Sequence, residues 1–579
     1  MGRRLAGART QSDRLVSATE LLGAAGRKNV THVDMIPKAL TEYEHVTSEP
    51  DAMRFGVDVR RFGGFRPLAG AYAYDFSSIA SLYAGDPSTP SAWRDAIERT
   101  RRHQRPRQGV AAVVAAQQER RGAPQPACNA AAQLASPETV AIVTGQQAGA
   151  FGGPLYTLLK AMTTIQLARR TAAEHGTPAV PVFWVDAEDH DWNEVQSCTV
   201  LDAEFQPRTI TLATPPGAGE VPVAALKFDS RIEQSIEALR AALAPTDFTE
   251  SVVASLADAY AVNAGVADAF ARWLEGLLGP HGLVVFESSD PAAKPFVRDL
   301  FVRELRTART SPLAAAAGDA LLAAGHQPQV SAQADGVALF HLDGGRTLVK
   351  HENADALARE AERSPHQFSP NVLLRPIVQD TLFPTICYVA GPSELAYLGQ
   401  LRAAYEHFGV PMPLMYPRAS ATLLDSAAAR FLSRYDVPLR DFQPRDEAAL
   451  NRLLHGQLPP AVDRSLKDAA DAIRAAMQRV VEALPALDPT LAGAAKTTAG
   501  RMEHDLRALE GKVIQAAKRR DETLRRQFLR AQAQIFPNGH LQERTLGVVF
   551  FLNRYGPALV DRLLEELPLE MGKHWVITV

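Results

Sequence analysis

Cysteine is scarce in this chain: three in 579 residues, at Cys128, Cys198 and Cys387. No two stand in a CxxC spacing, which argues against a cysteine-built zinc knuckle and a disulfide framework and fits a reducing cytoplasm. An excess of one charge sign is also missing. Lys plus Arg number 62 and Asp plus Glu 65, for a formal charge of −3, so there is no broad basic footprint for nucleic acid. No run of about 18 apolar residues occurs, and no membrane span is expected. With 46% apolar and 22% charged residues, the composition is that of a folded globular protein. The length exceeds one ordinary core, so two or three structural units are expected.

Three segments organise the reading. Residues 1–56 are weakly periodic and read as a poorly ordered extension, with short helices near 13–25 and 36–47 and ordered structure starting near Phe65. Residues 57–420 read as an α/β core. Thr139–Thr144 is a β-branched run, Gly145–Gly153 a glycine-rich turn, and Leu155, Leu158, Leu159, Met162 and Ile165 recur at helical spacing. A second buried strand, Val180–Val185, and a third, Leu283–Phe286, follow after intervening segments. Strand, helix, strand in this order predicts a parallel sheet with crossover helices. Residues 421–579 read as a helical domain. Leu466, Ala470, Ile473, Met477, Val480 and Leu484 step 4-3-4-3-4, as do Met502, Leu506, Leu509 and Val513, with Leu524, Phe528, Ala531 and Ile535 continuing. These heptads predict an antiparallel coiled-coil hairpin broken at Pro485 and Pro489. An apolar seam of this kind favours a homodimer.

Three constellations carry possible chemistry. In the first, Gly145, Gln146 and Gln147 end a strand, and Tyr156 and Lys160 share a helix face four residues apart. The glycine spacing is neither a P-loop nor GxGxxG. A glycine turn before a helix N-terminus still suits an anion. In the second, Glu188, Asp189, His190 and Asp191 crowd charge at a strand end. They suit Mg²⁺, a substrate amine or, at His190, general-base work; the bland alternative is an acidic helix start. In the third, Arg375, Gln379, Asp380, Glu394, Tyr397, Arg418 and Ser420 lie within 46 positions of one another. Arg375 or Arg418 is suited to clamp a carboxylate or phosphate. For any one of these residues a structural ion pair is the simpler account.

Together these motifs resemble the bacillithiol biosynthesis cysteine-adding enzyme family. The residues carrying the resemblance are Thr144-Gly-Gln-Gln with Gly153-Pro-Leu-Tyr156 and Lys160, Val182-Phe-Trp with Glu188–Asp191, and Arg375-Pro, Gln379-Asp380, Gly391-Pro392, Glu394, Tyr397 and Pro417-Arg418 with Ser420. Leu541-Gln-Glu-Arg544 matches its C-terminal signature. The resemblance runs from about residue 57 to the C-terminus. It implies a Rossmann-like parallel-sheet core with inserted connecting segments and a dimerising C-terminal coiled coil. It also implies ligation of L-cysteine to the amine of glucosaminyl-malate. By analogy with nucleotidyltransferase-like ligases, ATP with Mg²⁺ would activate the cysteine carboxylate as an adenylate. In that reading His190, Asp189, Glu188 and Asp191 are catalytic. Gly145, Gln146, Gln147, Tyr156, Lys160, Arg375, Gln379, Asp380, Glu394, Tyr397, Arg418 and Ser420 hold substrate or nucleotide.

The sequence departs from the analogy in places. It has no HIGH-type signature, no lysine-rich KMSKS-like loop (the Pro417–Thr422 segment, with Arg418, is the candidate to replace it) and no cysteines for a thiol-reading zinc. A metal-dependent transferase or hydrolase, and a non-catalytic nucleotide-binding dimer, are the alternatives.

Overall fold

The computed structural model describes residues 53–63, 67–330, 336–435 and 437–579. The helices expected at 13–25 and 36–47 lie outside the described residues, as does most of the extension expected over 1–56. Ordered structure begins earlier than Phe65. Alternating Phe55 and Val57 bury one edge of a strand, β1 (Arg54–Asp58), which pairs with the last strand of the chain.

The other strands that position the site are β2 (Val140–Gln147), β3 (Ala179–Asp186), β4 (Val284–Glu287), β5 (Thr385–Ala390), β6 (Leu414–Pro417), β7 (Ser420–Leu424) and β8 (Lys573–Thr578). Five of them form one parallel sheet in the order β6-β5-β2-β3-β4. This is the Rossmann-like parallel core expected from the sequence. Side-chain alternation explains why both faces are covered. Phe183 and Val185 pack with Leu155, Leu158, Leu159 and Met162 on one face, while Val182, Trp184 and Phe286 pack on the other. Leu158 is fully buried, and truncating it to alanine is expected to cost about 2–5 kcal/mol.

From β2 the chain runs outward to β3 and β4. It then returns to the other side of β2 for β5 and β6. The carboxyl ends of β2 and β5 therefore part at a switch point, where open α/β sheets leave a crevice. Helix α1 (Leu155–His175) follows β2, α2 (Arg375–Leu382) precedes β5, and α3 (Pro392–Leu398) follows it.

Strands β1, β8 and β7 form a second sheet, with β8 between the other two. It ties the end of the chain to the core. The helical region comprises α4 (Pro460–Ala483), α5 (Leu491–Arg520) and α6 (Glu522–Ile535). The hairpin α4–α5 is the expected one, but its seam is rotated. Leu506 and Val513 are half-buried, whereas Met502 is 41% and Leu509 50% exposed. Glu503 and Glu510 take the inward positions, where Glu503 meets Arg474 Nε at 3.9 Å and Glu510 meets His455 Nε2 at 3.1 Å. The run Leu524, Phe528, Ala531 and Ile535 does not extend the hairpin. Asp521 caps a new helix, and these side chains pack on the body of the protein, with Phe528 stacked on Phe442 at 5.0 Å.

Candidate functional site

Two contiguous cavities open at the switch point. One, of about 450 Å³, lies over the ends of β2, β3 and β5. The other, of about 800 Å³, extends toward β7, β8 and residues 540–547. Tyr156, Glu194, Pro392, Ser393, Arg418 and Arg544 line both.

The glycine-rich turn does not serve as an anion cradle. Phe151, Gly152 and Gly153 have φ of 52°, 90° and 71°, and a Cβ on Gly152 would fall 2.1 Å from the Trp273 ring. Gly152 thus lets the turn close onto Trp273. Its amides face protein: Gly152 N donates to Tyr260 Oη at 3.1 Å, and Leu155 N at the start of α1 donates to Leu546 O at 2.8 Å. What the turn achieves is to aim α1, whose Tyr156 and Lys160 line the smaller cavity on one helix face.

Lys160 is the centre of the site. It is buried, donates to Gly145 O at 2.6 Å and pairs with Glu394 Oε2 at 2.5 Å. Burial lowers its pKa, with Glu394 opposing. Glu394, at the third position of α3, also accepts from Gly391 N at 2.6 Å and Tyr388 Oη at 2.9 Å. Burial works against its charge, yet Lys160, the Gly391 amide and Arg375 together hold its pKa below the ordinary carboxylate value. Arg375 opens α2, donates to Tyr397 Oη at 2.9 Å and faces Asp186 Oδ2 at 3.6 Å. Asp186 ends β3, and burial raises its pKa against the pull of Arg375. Gln146 Nε2 donates to Tyr156 Oη at 3.3 Å. The guanidinium carbons of Arg418 and Arg544 stand 5.4 and 5.7 Å from the Tyr156 ring centroid.

Below this layer lies a buried polar chain. Arg418 pairs with Glu543 at 2.6 Å, Ser420 Oγ lies 3.0 Å from Glu543, and His574 Nδ1 lies 2.7 Å from Ser420 Oγ. Thr422 Oγ1 contacts His574 Nε2 at 2.8 Å. Burial drives the His574 pKa down to about 4, although Glu543 opposes it. The imidazole is therefore neutral near pH 7. A consistent assignment has Thr422 donating to Nε2, Nδ1–H to Ser420, and Ser420 to Glu543.

Of the residues singled out from sequence, Gly145, Gln146, Gln147, Tyr156, Lys160, Asp189, Arg375, Glu394, Tyr397 and Arg418 line the smaller cavity, and Ser420 lines the larger. The others are placed elsewhere. Gln379 is fully buried behind Arg375, and Asp380 accepts from Tyr405 Oη at 2.6 Å, with burial raising its pKa to about 6. Glu188 forms a sealed ion pair with Lys294. Asp191 caps a short helix, accepting from Asn193 N at 3.1 Å, which is the bland role for an acid there. His190 is 44% exposed and its Nδ1 lies 3.2 Å from Arg346. A guanidinium only donates, so Nδ1 is the acceptor in that contact.

Sequence reasoning passed over Asp186, Glu194, Arg346, Tyr388, Glu543 and Arg544 as site residues. Asp186 stands two positions before the acidic run, and Arg346 sits on a hairpin in which Leu339–Leu342 pairs with Arg346–Leu348. Glu543 and Arg544 lie in the C-terminal signature, but nothing in their local pattern places Glu543 against β7 or Arg544 beside Tyr156. Among the described residues, no three His, Cys, Asp or Glu side chains group as a metal-holding cluster. Nor is any helix among them long and apolar enough to cross a membrane.

Comparison with known proteins accords with this geometry. Residues 58–419 match the family model described as bacillithiol biosynthesis BshC, N-terminal Rossmann-like domain, and residues 421–579 match its C-terminal coiled-coil domain. A protein of Salinibacter ruber named "Putative cysteine ligase BshC" is 34% identical over 535 residues, 89% of this chain and 97% of the relative. Relatives with the same name from Symbiobacterium thermophilum and Solibacter usitatus are 34% and 31% identical. They cover 87% of this chain each, and 95% and 98% of their own lengths. With both halves matched, the chain belongs to the bacillithiol biosynthesis BshC family.

Proposed function

We propose that the protein is a cysteine ligase that joins L-cysteine to the amine of glucosaminyl-malate, the last step of bacillithiol biosynthesis. Beyond the family relation, the observation that carries this reading is the switch-point cavity. Lys160, Arg346, Arg375, Arg418 and Arg544 surround it, with carboxylates from β3 and α3 between them. Anionic ligands and an amine nucleophile are the chemistry such a lining suits.

Forming the amide joins the acceptor nitrogen to the cysteine carbonyl carbon, breaks a C–O bond and releases a proton from the amine. ATP, when bound, would supply the phosphoryl group on which that oxygen departs. The chain's own residues do the rest. Lys160 and Arg375 offer positive charge where negative charge develops, and Glu394 and Tyr397 hold them in place. Asp186 is the carboxylate best suited to take the proton. It lines the cavity, its ion-pair contact with Arg375 is a loose 3.6 Å, and burial makes it a stronger base. This reassigns the general-base role from His190 to Asp186. Asp186, Asp189 and Glu394 face cations already, so Mg²⁺ fits as a companion of nucleotide phosphates rather than in a protein cage. The protein works as a homodimer through the exposed face of the α4–α5 hairpin, in the cytoplasm, where its three cysteines stay free thiols.

The test is purified protein with glucosaminyl-malate, cysteine and Mg²⁺, with and without ATP, followed by mass spectrometry. Bacillithiol with stoichiometric AMP is the expected result. ADP would move activation to the γ-phosphate, and product without nucleotide turnover would remove ATP from the reaction. No product from folded protein under any of these conditions would overturn the ligase reading.

A further inference from the structure

The cations around the two cavities are not equivalent. Lys160 is held by Glu394 and Gly145 O, Arg375 by Tyr397 and Asp186, Arg346 by Asp189 and His190, and Arg418 by Glu543 and Ala419 O. Arg544 differs. Among the described residues no carboxylate lies in ion-pair range of it, and its recorded neighbour is the Tyr156 ring. It is exposed and lines both cavities at their junction.

The segment carrying it is nonetheless rigidly placed. Arg544 belongs to a short helix, Gln542–Thr545, whose preceding side chains are both buried. The Gln542 amide pairs with the backbone of β7, accepting from Leu423 N and donating to Leu423 O, each at 2.7 Å. Glu543 accepts from Ala421 N at 2.9 Å and from Arg418. On the far side, Leu546 O receives Leu155 N of α1, and Gly547 N donates to Thr199 O. A platform fixed on both flanks thus presents one uncommitted guanidinium, beside a second, Arg418, whose direction is set by Glu543. Preorganised donors of this kind bind anions at little ordering cost.

We propose that Arg544, supplied by the C-terminal domain, is the residue that captures an oxyanion of the ligand at the junction of the two cavities. The proposal rests on the ligase reading for its ligands and deepens it. Two sources share the chemistry: a carboxylate of the malate moiety and a phosphate of the nucleotide. A planar fork fits either, and lysine in its place keeps the charge but loses the bidentate geometry.

Isothermal titration of the full chain separates the sources, with L-malate and ADP as probes for the wild type, Arg544→Ala and Arg544→Lys. Thermal melting of each variant controls for folding. The expected result is at least tenfold weaker binding of one probe to Arg544→Ala, with Arg544→Lys restoring only part of it. Loss confined to malate assigns the carboxylate, and loss confined to ADP the phosphate. Equal affinities in folded wild type and Arg544→Ala for both probes, or no binding of either probe by the wild type, overturn the proposal. Ligase failure is distinguishable. Arg544-dependent malate binding without cysteinyl product would sink the ligase reading alone, whereas product formation with unchanged affinities would sink this one alone.

Discussion

Two buried lysine–glutamate pairs sit at the carboxyl end of the parallel sheet, in different surroundings. Lys160–Glu394 opens into the cavity, with the Glu394 side chain 21% exposed; Lys294–Glu188 is sealed, at 4% and 7%. Glu394 has further donors, Gly391 N and Tyr388 Oη, and Arg375 nearby, and its pKa is lowered. At Glu188 burial outweighs Lys294, Asp186 adds repulsion, and the pKa is raised. The lesson concerns surplus. A carboxylate stabilised by more partners than neutralising it requires can hold a lysine poised toward a ligand. One with a single cation is part of the packing.

The sharpest way to break this contrast is Glu394→Gln. The amide keeps the shape and loses the charge that fixes Lys160. A fall in kcat/KM on the order of 10²–10³-fold is expected, in the range seen when one preorganised electrostatic group is removed. Loss below threefold in a steady-state assay would place the chemistry elsewhere.

The sealed pair should respond in stability instead. Glu188→Gln or Lys294→Met alone leaves a partner buried and unpaired, at an expected cost of about 3–5 kcal/mol in urea unfolding. The double variant removes both charges and should recover to within about 1 kcal/mol of wild type. Additive single losses would mean that the two side chains are not coupled.

A third comparison is set by pH. The His574 pKa is about 4 in the folded state against an ordinary 6.5. The unfolded chain therefore binds the proton first as pH falls. The stability that neutral His574 contributes is fully present above about pH 6.5 and is lost progressively toward pH 4, by up to about 3 kcal/mol. Asp380 acts oppositely. Its folded pKa of about 6 lets the native state gain its proton first, so its unfavourable contribution fades over a similar window. The two nearly offset each other in the wild type, and the measurement must be a difference. The stability gap between wild type and His574→Gln should narrow from pH 6.5 to 4. A constant gap would show that His574 titrates as an ordinary surface histidine.

Three of the five strands of the sheet, β2, β3 and β4, were legible because they are buried on both faces and read as continuous apolar runs between breakers; β5 and β6 were not, since their runs lie among polar groups. Tyr156, Lys160, Arg375 and Glu394 were legible because each stands in a turn or helix start beside a strand end. In the acidic run 188–191, Glu188 and Asp191 are turned away from the cavity for a physical reason. One sequence cannot show that Glu188 meets Lys294 from 106 positions away, or that Asp191 is occupied with two amides of its own helix. Arg544 was invisible as a site residue for the converse reason. It reaches Tyr156 on α1 only because Gln542 and Glu543 dock on β7, a contact without periodicity. The glycine turn reads as a place for an anion, yet Gly152 is required by Trp273, a ring supplied more than a hundred positions later.

The helical hairpin offers the smallest effect and a separable one. The heptads placed Leu506 and Leu509 on one seam. In the structure Leu506 is half-buried between the helices, and Leu509 is 50% exposed beside a groove that also takes in Val462 and Leu466. The inward place next to Leu509 is Glu510, held by His455. Leu506→Glu should therefore lower hairpin stability, at roughly 2–5 kcal/mol for a lost leucine contact, in whatever oligomeric state the protein adopts. Leu509→Glu should leave the monomer's unfolding within about 0.5 kcal/mol, as surface substitutions do. If the outward seam joins two copies, that same change puts like charges into the interface. Sedimentation velocity should then show monomer where the wild type shows dimer. A dimer that survives Leu509→Glu unchanged would move the interface off this face and leave Met502 and Leu509 as ordinary exposed side chains.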